Sequence, residues 1–388
     1  MMVQHSNLKM TPRQRHGRSR LLLTALITVV SHPFWLGQGL IMAQAQENDS
    51  FLDLCENRDR LSPAAQHTLD QLLQTVEATD CVMGDRQLSD MTQLTLNDLQ
   101  IRDVSVLSSL PSLTELYLSN NEIQTVEPLG QLTNLEVLSL NGNQISDLAP
   151  LATLTNLQSL YLNRNRINEL PDLAPLAQLV TLDLSHNQIA SIETLSTNLN
   201  LRSLNLSHNH LSTIDSLTPL VNLQSLVFDQ NQVIQISVVK NLPQLTSLRF
   251  DSNAVRDVSA IQHLEQLINL DIDNNPIEAD DQVTILQTVD FRRLNLRNEC
   301  LACNLAGLDF SNADLIGVYL ERSDLSNANL QNADLVGAVL ERVNLSNADL
   351  RGADLTNAIL SHATLDGANL QDVNLCGAIL PPGYESSC

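Results

Sequence analysis

Between Leu135 and Ile145 apolar and polar residues follow the pattern LxxLxLxxNxI, and the pattern returns every 22 residues. Its Asn stands at 121, 143, 165, 187, 209, 231, 253 and 275, in unbroken register, with Phe228, Phe250 and Ile272 replacing the third Leu of later units. Met91 to Ile101 keeps the apolar positions one period earlier but has Leu99 where Asn belongs, as an end unit does. The L-x-L centre predicts a short strand whose Leu residues point inward and whose intervening residues point outward. Where such a strand ends inside a stack, backbone groups lose their ladder partners, and an Asn amide supplies both a donor and an acceptor. About eleven residues remain for the return path, too few for a full helix with two loops, so the convex side is predicted as 3₁₀ or irregular turns. Leu294 and Leu296 fall 24 rather than 22 residues beyond Leu270 and Ile272, which predicts a modified closing unit.

From residue 301 the apolar period drops to five. Leu or Phe recurs at every fifth position from Leu305 through Phe310 to Leu380, and two residues before each sits a mostly small residue, Ala in ten of sixteen units. Asn312-Ala313-Asp314-Leu315 and Asn347-Ala348-Asp349-Leu350 show the A-(D/N)-L-x-x form. Ahead of the first period, Ser62-Pro63 reads as an N-cap and first helical residue, with Ala65, Leu69, Leu72, Leu73 and Val76 on one face. A stack exposes its first apolar layer unless something covers it, so this helix is predicted as a cap.

The 22-residue units closely resemble leucine-rich repeats of the internalin-like kind, over roughly 91–299. The pentads resemble the pentapeptide-repeat family, which implies a right-handed, four-sided β-helix with the Leu and the small residue both facing in. Sixteen pentads at four per coil make four coils, about 19 Å tall at about 4.8 Å per coil. Val318, Val343 and Val373 then require local spreading at the narrow inward site. The expected fold is a mainly β solenoid. Its parts are a helical N-terminal cap (46–90), a leucine-rich horseshoe with a short-turned convex side (91–299), a quadrilateral β-helix (300–380) and a tail (381–388).

The first 45 residues carry Lys9, Arg13, Arg15, Arg18 and Arg20, no acid, an apolar run from Leu21 to Val30 and an Ala43-Gln44-Ala45 end. That is the build of a secretory signal peptide cut after Ala45; the competing reading is an uncleaved anchor, although His32, Pro33 and Gln38 interrupt it. Removal takes five cations and no acid, so the net charge moves from −23 to −28. It also takes Trp35, the only tryptophan. An acidic chain with Lys9 and Lys240 as its only lysines is not a nucleic-acid binder, because phosphate neutralisation needs clustered cations. All six cysteines follow this segment, an even count that favours disulfides in an exported chain. Fifteen pairings are possible, and the local pairs Cys55 with Cys81, Cys300 with Cys303 and Cys376 with Cys388 are favoured because they sit at the junctions. Cys300 and Cys303 occupy the two inward phases of the first coil, which favours a structural role over a redox-active one.

Candidate chemistry lies on the outward strand positions of the leucine-rich units. One row contains Tyr117, Tyr161, Asp183, Arg249 and Asp271, and the next contains Ser185, Asp229, Asp251 and Asp273. Tyr117 and Tyr161, two rungs apart, either anchor a partner or cover neighbouring strands. Stacked about 5 Å apart, the aspartates repel by roughly 1 kcal/mol per pair even in water. They form either a solvated face partly neutralised by Arg249 or a ladder for Ca²⁺ or a basic segment. His186 and His208 fall at equivalent places on successive rungs, where two ligands do not make a zinc site. No phosphate loop, GxSxG elbow, HExxH or Gly-rich dinucleotide turn occurs, and no metal or cofactor is expected. The expected function is a non-enzymatic, exported, monomeric scaffold that grips a protein or peptide on its concave face without entering a membrane. Two alternatives are an acidic pentapeptide DNA mimic binding a protein such as gyrase, as in some members of that family, and a Ca²⁺-dependent surface or carbohydrate binder. Leucine-rich and pentapeptide repeats behind a signal peptide look like cyanobacterial secreted proteins, which implies periplasm, thylakoid lumen or exterior.

Overall fold

The computed structural model describes residues 50–385 and 388, so the signal-peptide segment lies outside the described residues. Three helices, rather than the single one expected, precede the repeats: α1 (Phe51–Glu56), α2 (Pro63–Thr75) and α3 (Cys81–Leu88). Each starts on a side-chain cap: the Ser50 hydroxyl accepts from Asp53 N–H, that of Ser62 from Ala65 N–H, and the Asp80 carboxylate from Met83 N–H. A disulfide between Cys55 and Cys81 ties α1 to α3. Phe51, Leu69, Leu72 and Leu88 are buried in the same core as the first repeats. The cap is also hydrogen-bonded to the array: Ser62 donates to the Asp103 carboxylate at 2.8 Å, and Thr68 donates to the Asp103 carbonyl at 2.6 Å.

Nine three-residue strands, β1 (Gln93–Thr95), β2 (Glu115–Tyr117), β3 (Val137–Ser139), β4 (Ser159–Tyr161), β5 (Thr181–Asp183), β6 (Ser203–Asn205), β7 (Ser225–Val227), β8 (Ser247–Arg249) and β9 (Asn269–Asp271), form one parallel sheet in sequence order. Pairing is in 22-residue register, Leu116 on Leu138 and Leu138 on Leu160, so identical positions stack into rows. Most return paths contain a single 3₁₀ turn, such as Ala149–Thr153; the path between β4 and β5 contains none.

The asparagines form the ladder that the spacing predicts. Asn165 donates to the carbonyls of Leu140 (2.9 Å) and Leu162 (3.0 Å) and accepts from the Ile145 N–H (3.0 Å), so each amide joins its own rung to the one before. The residue before each Asn is left-handed, including Arg164, His186 and His208. Phe228 and Phe250 fill the inward site of later rungs as a stacked pair, centroids 5.5 Å apart.

The modified closing unit is a helix, α4 (Ala279–Arg297), and carries no strand. Ile285 and Val289 enter the leucine-rich core, whereas Leu294 enters a second, separate core that runs up the pentads. The two solenoids therefore meet on one helix rather than sharing a continuous interior. Beyond the Asn298 cap, every bridge in the pentads joins residues twenty apart, as in Asp314 to Asp334 to Asp354, which makes each coil four pentads. Val318 and Val343 are fully buried among the alanines, and Ser323, at an alanine site, donates to Cys300 O and accepts from Cys303 N–H. Disulfides link Cys300 to Cys303 at the base and Cys376 to Cys388 at the tail. Among the described residues no helix is long and apolar enough to cross a membrane.

Candidate functional site: the concave face of the sheet

The sheet presents three outward rows whose spacing is fixed by strand pairing. Tyr117 and Tyr161 stand either side of Ser139 in the middle row. Ser139 faces outward yet is 5% exposed, so neighbouring side chains close over it. The Tyr117 hydroxyl donates to Glu115 at 2.9 Å, and that bond holds its pKa above the usual phenol value. Glu115 lies in the third outward row, which single-residue inspection of the sequence passed over; its place two residues before Tyr117 on the same strand was the available signal.

Asp183 is occupied within the surface. Its carboxylate accepts from Ser185 N–H (2.9 Å), from the Ser185 hydroxyl (2.7 Å) and from Asn163 Nδ2 (3.4 Å). Ser185 thus donates to an aspartate, while His186 lies ring on ring with His208, centroids 3.8 Å apart and 16° from parallel. Burial, then the neighbouring His208 and Arg164, push the His186 pKa down. The stacked pair forms a flat aromatic step on the edge of the face.

The acidic end is not a bare ladder of carboxylates. Arg249 bridges Asp229 (3.1 Å) and Asp271 (3.4 Å) on the rungs either side of it. Asp229 also accepts from Asp251 N–H at 3.0 Å, and Asp251 accepts from Asn274 at 2.8 Å and from Ser252 at 3.0 Å. Asp273 is exposed. The three stacked aspartates do not bring their oxygens together as a ligand set. Among the described residues the one such triad is Asp290 with Cys300 and Cys303, whose sulfurs are spent on each other.

Burial raises the Asp229 pKa above 3.8 despite the facing Arg249. Folded chain therefore holds that proton more readily than unfolded chain. Its contribution to stability is full below pH 3.8 and is lost as pH rises through the raised value. Asp229→Asn, which keeps the acceptor for Asp251 N–H, is expected to unfold at slightly higher urea at pH 7, by less than about 1 kcal/mol, with the gain vanishing near pH 3. A lower midpoint for the variant at pH 7 would show that the Arg249 pair outweighs desolvation.

Two family models match. One, for leucine-rich repeats in two copies, fits residues 89–131, 111–153, 133–175, 155–197 and 177–219; the other, for pentapeptide repeats in eight copies, fits 303–342 and 344–380. The chain is a tandem of leucine-rich and pentapeptide repeats. The leucine-rich model stops short of β7 to β9, where Phe228, Phe250 and Ile272 break the Leu pattern, yet the asparagine bonds continue to Asn275. Among solved structures, internalin C2 of Listeria monocytogenes is 25% identical with a TM-score of 0.52, covering 57% of this chain and 96% of its own. The internalin inlF of the same species, 22% identical with a TM-score of 0.53 and covering 84% and 98%, shares the fold. No curated protein matches the sequence. Leucine-rich and pentapeptide repeats are generally non-enzymatic interaction scaffolds, and the three disulfides fit an extracellular or exported setting.

Proposed function

We propose that this chain is an exported, non-catalytic scaffold that grips a protein or peptide partner on the concave face of its leucine-rich repeats. The observation that carries this reading is the rigid outward grid. Strand pairing and the buried asparagine bonds fix the rows before any partner arrives, so little ordering entropy opposes docking. In this reading Tyr117 and Tyr161 supply rigid contact area at one end, with Asp183, His186 and His208 as the middle of the surface. At the other end Asp271 and Asp273, with Arg249, take a basic segment. Asp229 and Asp251 support that end through their internal bonds. Export follows cleavage after Ala45.

Affinity capture with the exported chain tests the reading. Tyr117→Ala with Tyr161→Ala is expected to weaken the captured partner at least 10-fold, the scale of an interface hot spot. Asp273→Lys, which spares Asp229, Asp251 and the Asp271 paired with Arg249, is expected to do the same for a basic partner. Undiminished capture by both variants would move the site off the concave face, and an intact N-terminus on exported chain would remove the cleavage step.

A further inference from the structure

Three faces of the pentapeptide stack repeat one polar device. Immediately before most inward leucines, an Asp or Asn side chain accepts from the backbone N–H two residues on: Asp309 from Ser311 at 3.0 Å, Asp334 from Val336 at 3.2 Å, Asn344 from Ser346 at 3.1 Å. Stacked through the bridges, these residues form three columns, such as Asp314, Asp334, Asp354 and Asn374.

The fourth face departs from the rule. Above an exposed Glu299 at its base, its column reads Tyr319, Val339, Ile359 and Ile379, side chains that do not make that bond, with Ile316 and Val336 beside them. Ile316 and Ile379 are 51% and 55% exposed. Leu296 and Leu301, equally exposed, carry the apolar surface one coil lower, where Asn298 donates to Ile316 O and Ala302 N–H to Glu321 O. This column forgoes a hydrogen bond that its three sisters make and leaves branched apolar groups in water, a pattern that pays only when the face is covered.

Charge selects what covers it. The chain carries −23 overall, and the sister columns hold Asp309, Asp314, Asp324, Asp334, Asp349 and Asp354 among their asparagines, so a second copy approaching those faces is repelled. The edge of the apolar face is balanced instead: Glu321 and Glu341 sit with Arg322 and Arg342, in pairs of 3.3 Å (Arg322 to Glu321), 3.3 Å (Arg342 to Glu341) and 3.6 Å (Arg342 to Glu321). We propose that this face is a self-association surface for a second copy of the chain, packed face to face with the stacks antiparallel. A two-fold axis in the contact plane and across the stack lays this edge against the same edge run in reverse, so that Glu321 of one copy meets Arg342 of the other. At about 19 Å tall and at most about 18 Å wide, the extended span of one pentad, the face is smaller than the roughly 800 Å² per partner of a standard interface, so the dimer is a weak, reversible one. The monomer expected from sequence is its low-concentration form. The inference does not depend on the concave-face reading.

Sedimentation velocity on the full chain, from about 1 to several hundred micromolar, reads the association directly. The mass is expected to climb from monomer toward dimer, and Val339→Glu with Ile359→Glu to raise the dissociation constant at least 10-fold with circular dichroism unchanged. Glu321→Arg alone is expected to weaken the dimer, and Glu321→Arg combined with Arg342→Glu to restore it. A monomer at every concentration overturns the proposal. So does a dimer indifferent to Val339→Glu with Ile359→Glu, which places the contact elsewhere, or a different protein bound through this face without self-association.

Discussion

Asn165→Ala is expected to lower stability by at least about 2 kcal/mol, seen as a drop in the urea midpoint. The substitution strands the buried N–H of Ile145, at about 1–3 kcal/mol, and removes one of the two donors from the carbonyls of Leu140 and Leu162, which keep Asn143 and Asn187, at about 0.5–1.5 kcal/mol each. Water cannot replace the lost partner, because the site lies between rungs with Leu140, Ile145 and Leu162 fully buried around it. Asn163→Ala is the matching control. Two residues away and on the concave surface, its side chain makes only a 3.4 Å contact to Asp183, and its loss is expected to cost under about 0.5 kcal/mol. Equal losses in the two variants would mean that the ladder asparagines are not what joins successive rungs.

Opening the cap is the second large effect. Cys55→Ala with Cys81→Ala removes a bridge spanning 26 residues, for which loop-closure entropy gives about 3–4 kcal/mol. The loss is expected to be local. Repeat arrays couple mainly to their neighbours, so hydrogen exchange should speed up across α1 to α3 and β1 to β2 well before β7 to β9. Cys376→Ala with Cys388→Ala, at the opposite end, is expected to leave β1 to β9 protected. Uniform loss of protection along the sheet after opening the cap would show that the array unfolds as one unit.

The elements hardest to see in the sequence were the three that serve as ends. Helices α1 and α3 are short and carry too few apolar positions to show a period, yet they cover the first rung because the bridge and the caps hold them there. Helix α4 is long, but its apolar residues do not share one stripe. Ile285 and Val289 face one core, and Leu294, five residues on and turned by about 140°, faces the other. A helix wedged between two interiors has no single buried side, so periodicity is silent about it. The candidate surface was legible in its rows, because strand alternation fixes which residues face out. Its internal pairing was not. Nothing in the spacing said that Asp183 would take Ser185 or that His186 would stack on His208; neutralisation by Arg249 was one of the two readings of the acidic rungs, and only its bridging of Asp229 and Asp271 had to come from the structure.

Periods of 22 and five, the inward leucines, the asparagine ladder and the local cysteine pairs follow from the residues themselves, since each repeat meets only its neighbours and local pattern is enough to specify that contact. Tertiary structure alone decided where the two cores stop, which helix divides them and which outward groups neutralise one another. It also set the apolar pentad column into one continuous face. Those outcomes join residues tens of positions apart, and their energies depend on distance and burial that no linear pattern encodes.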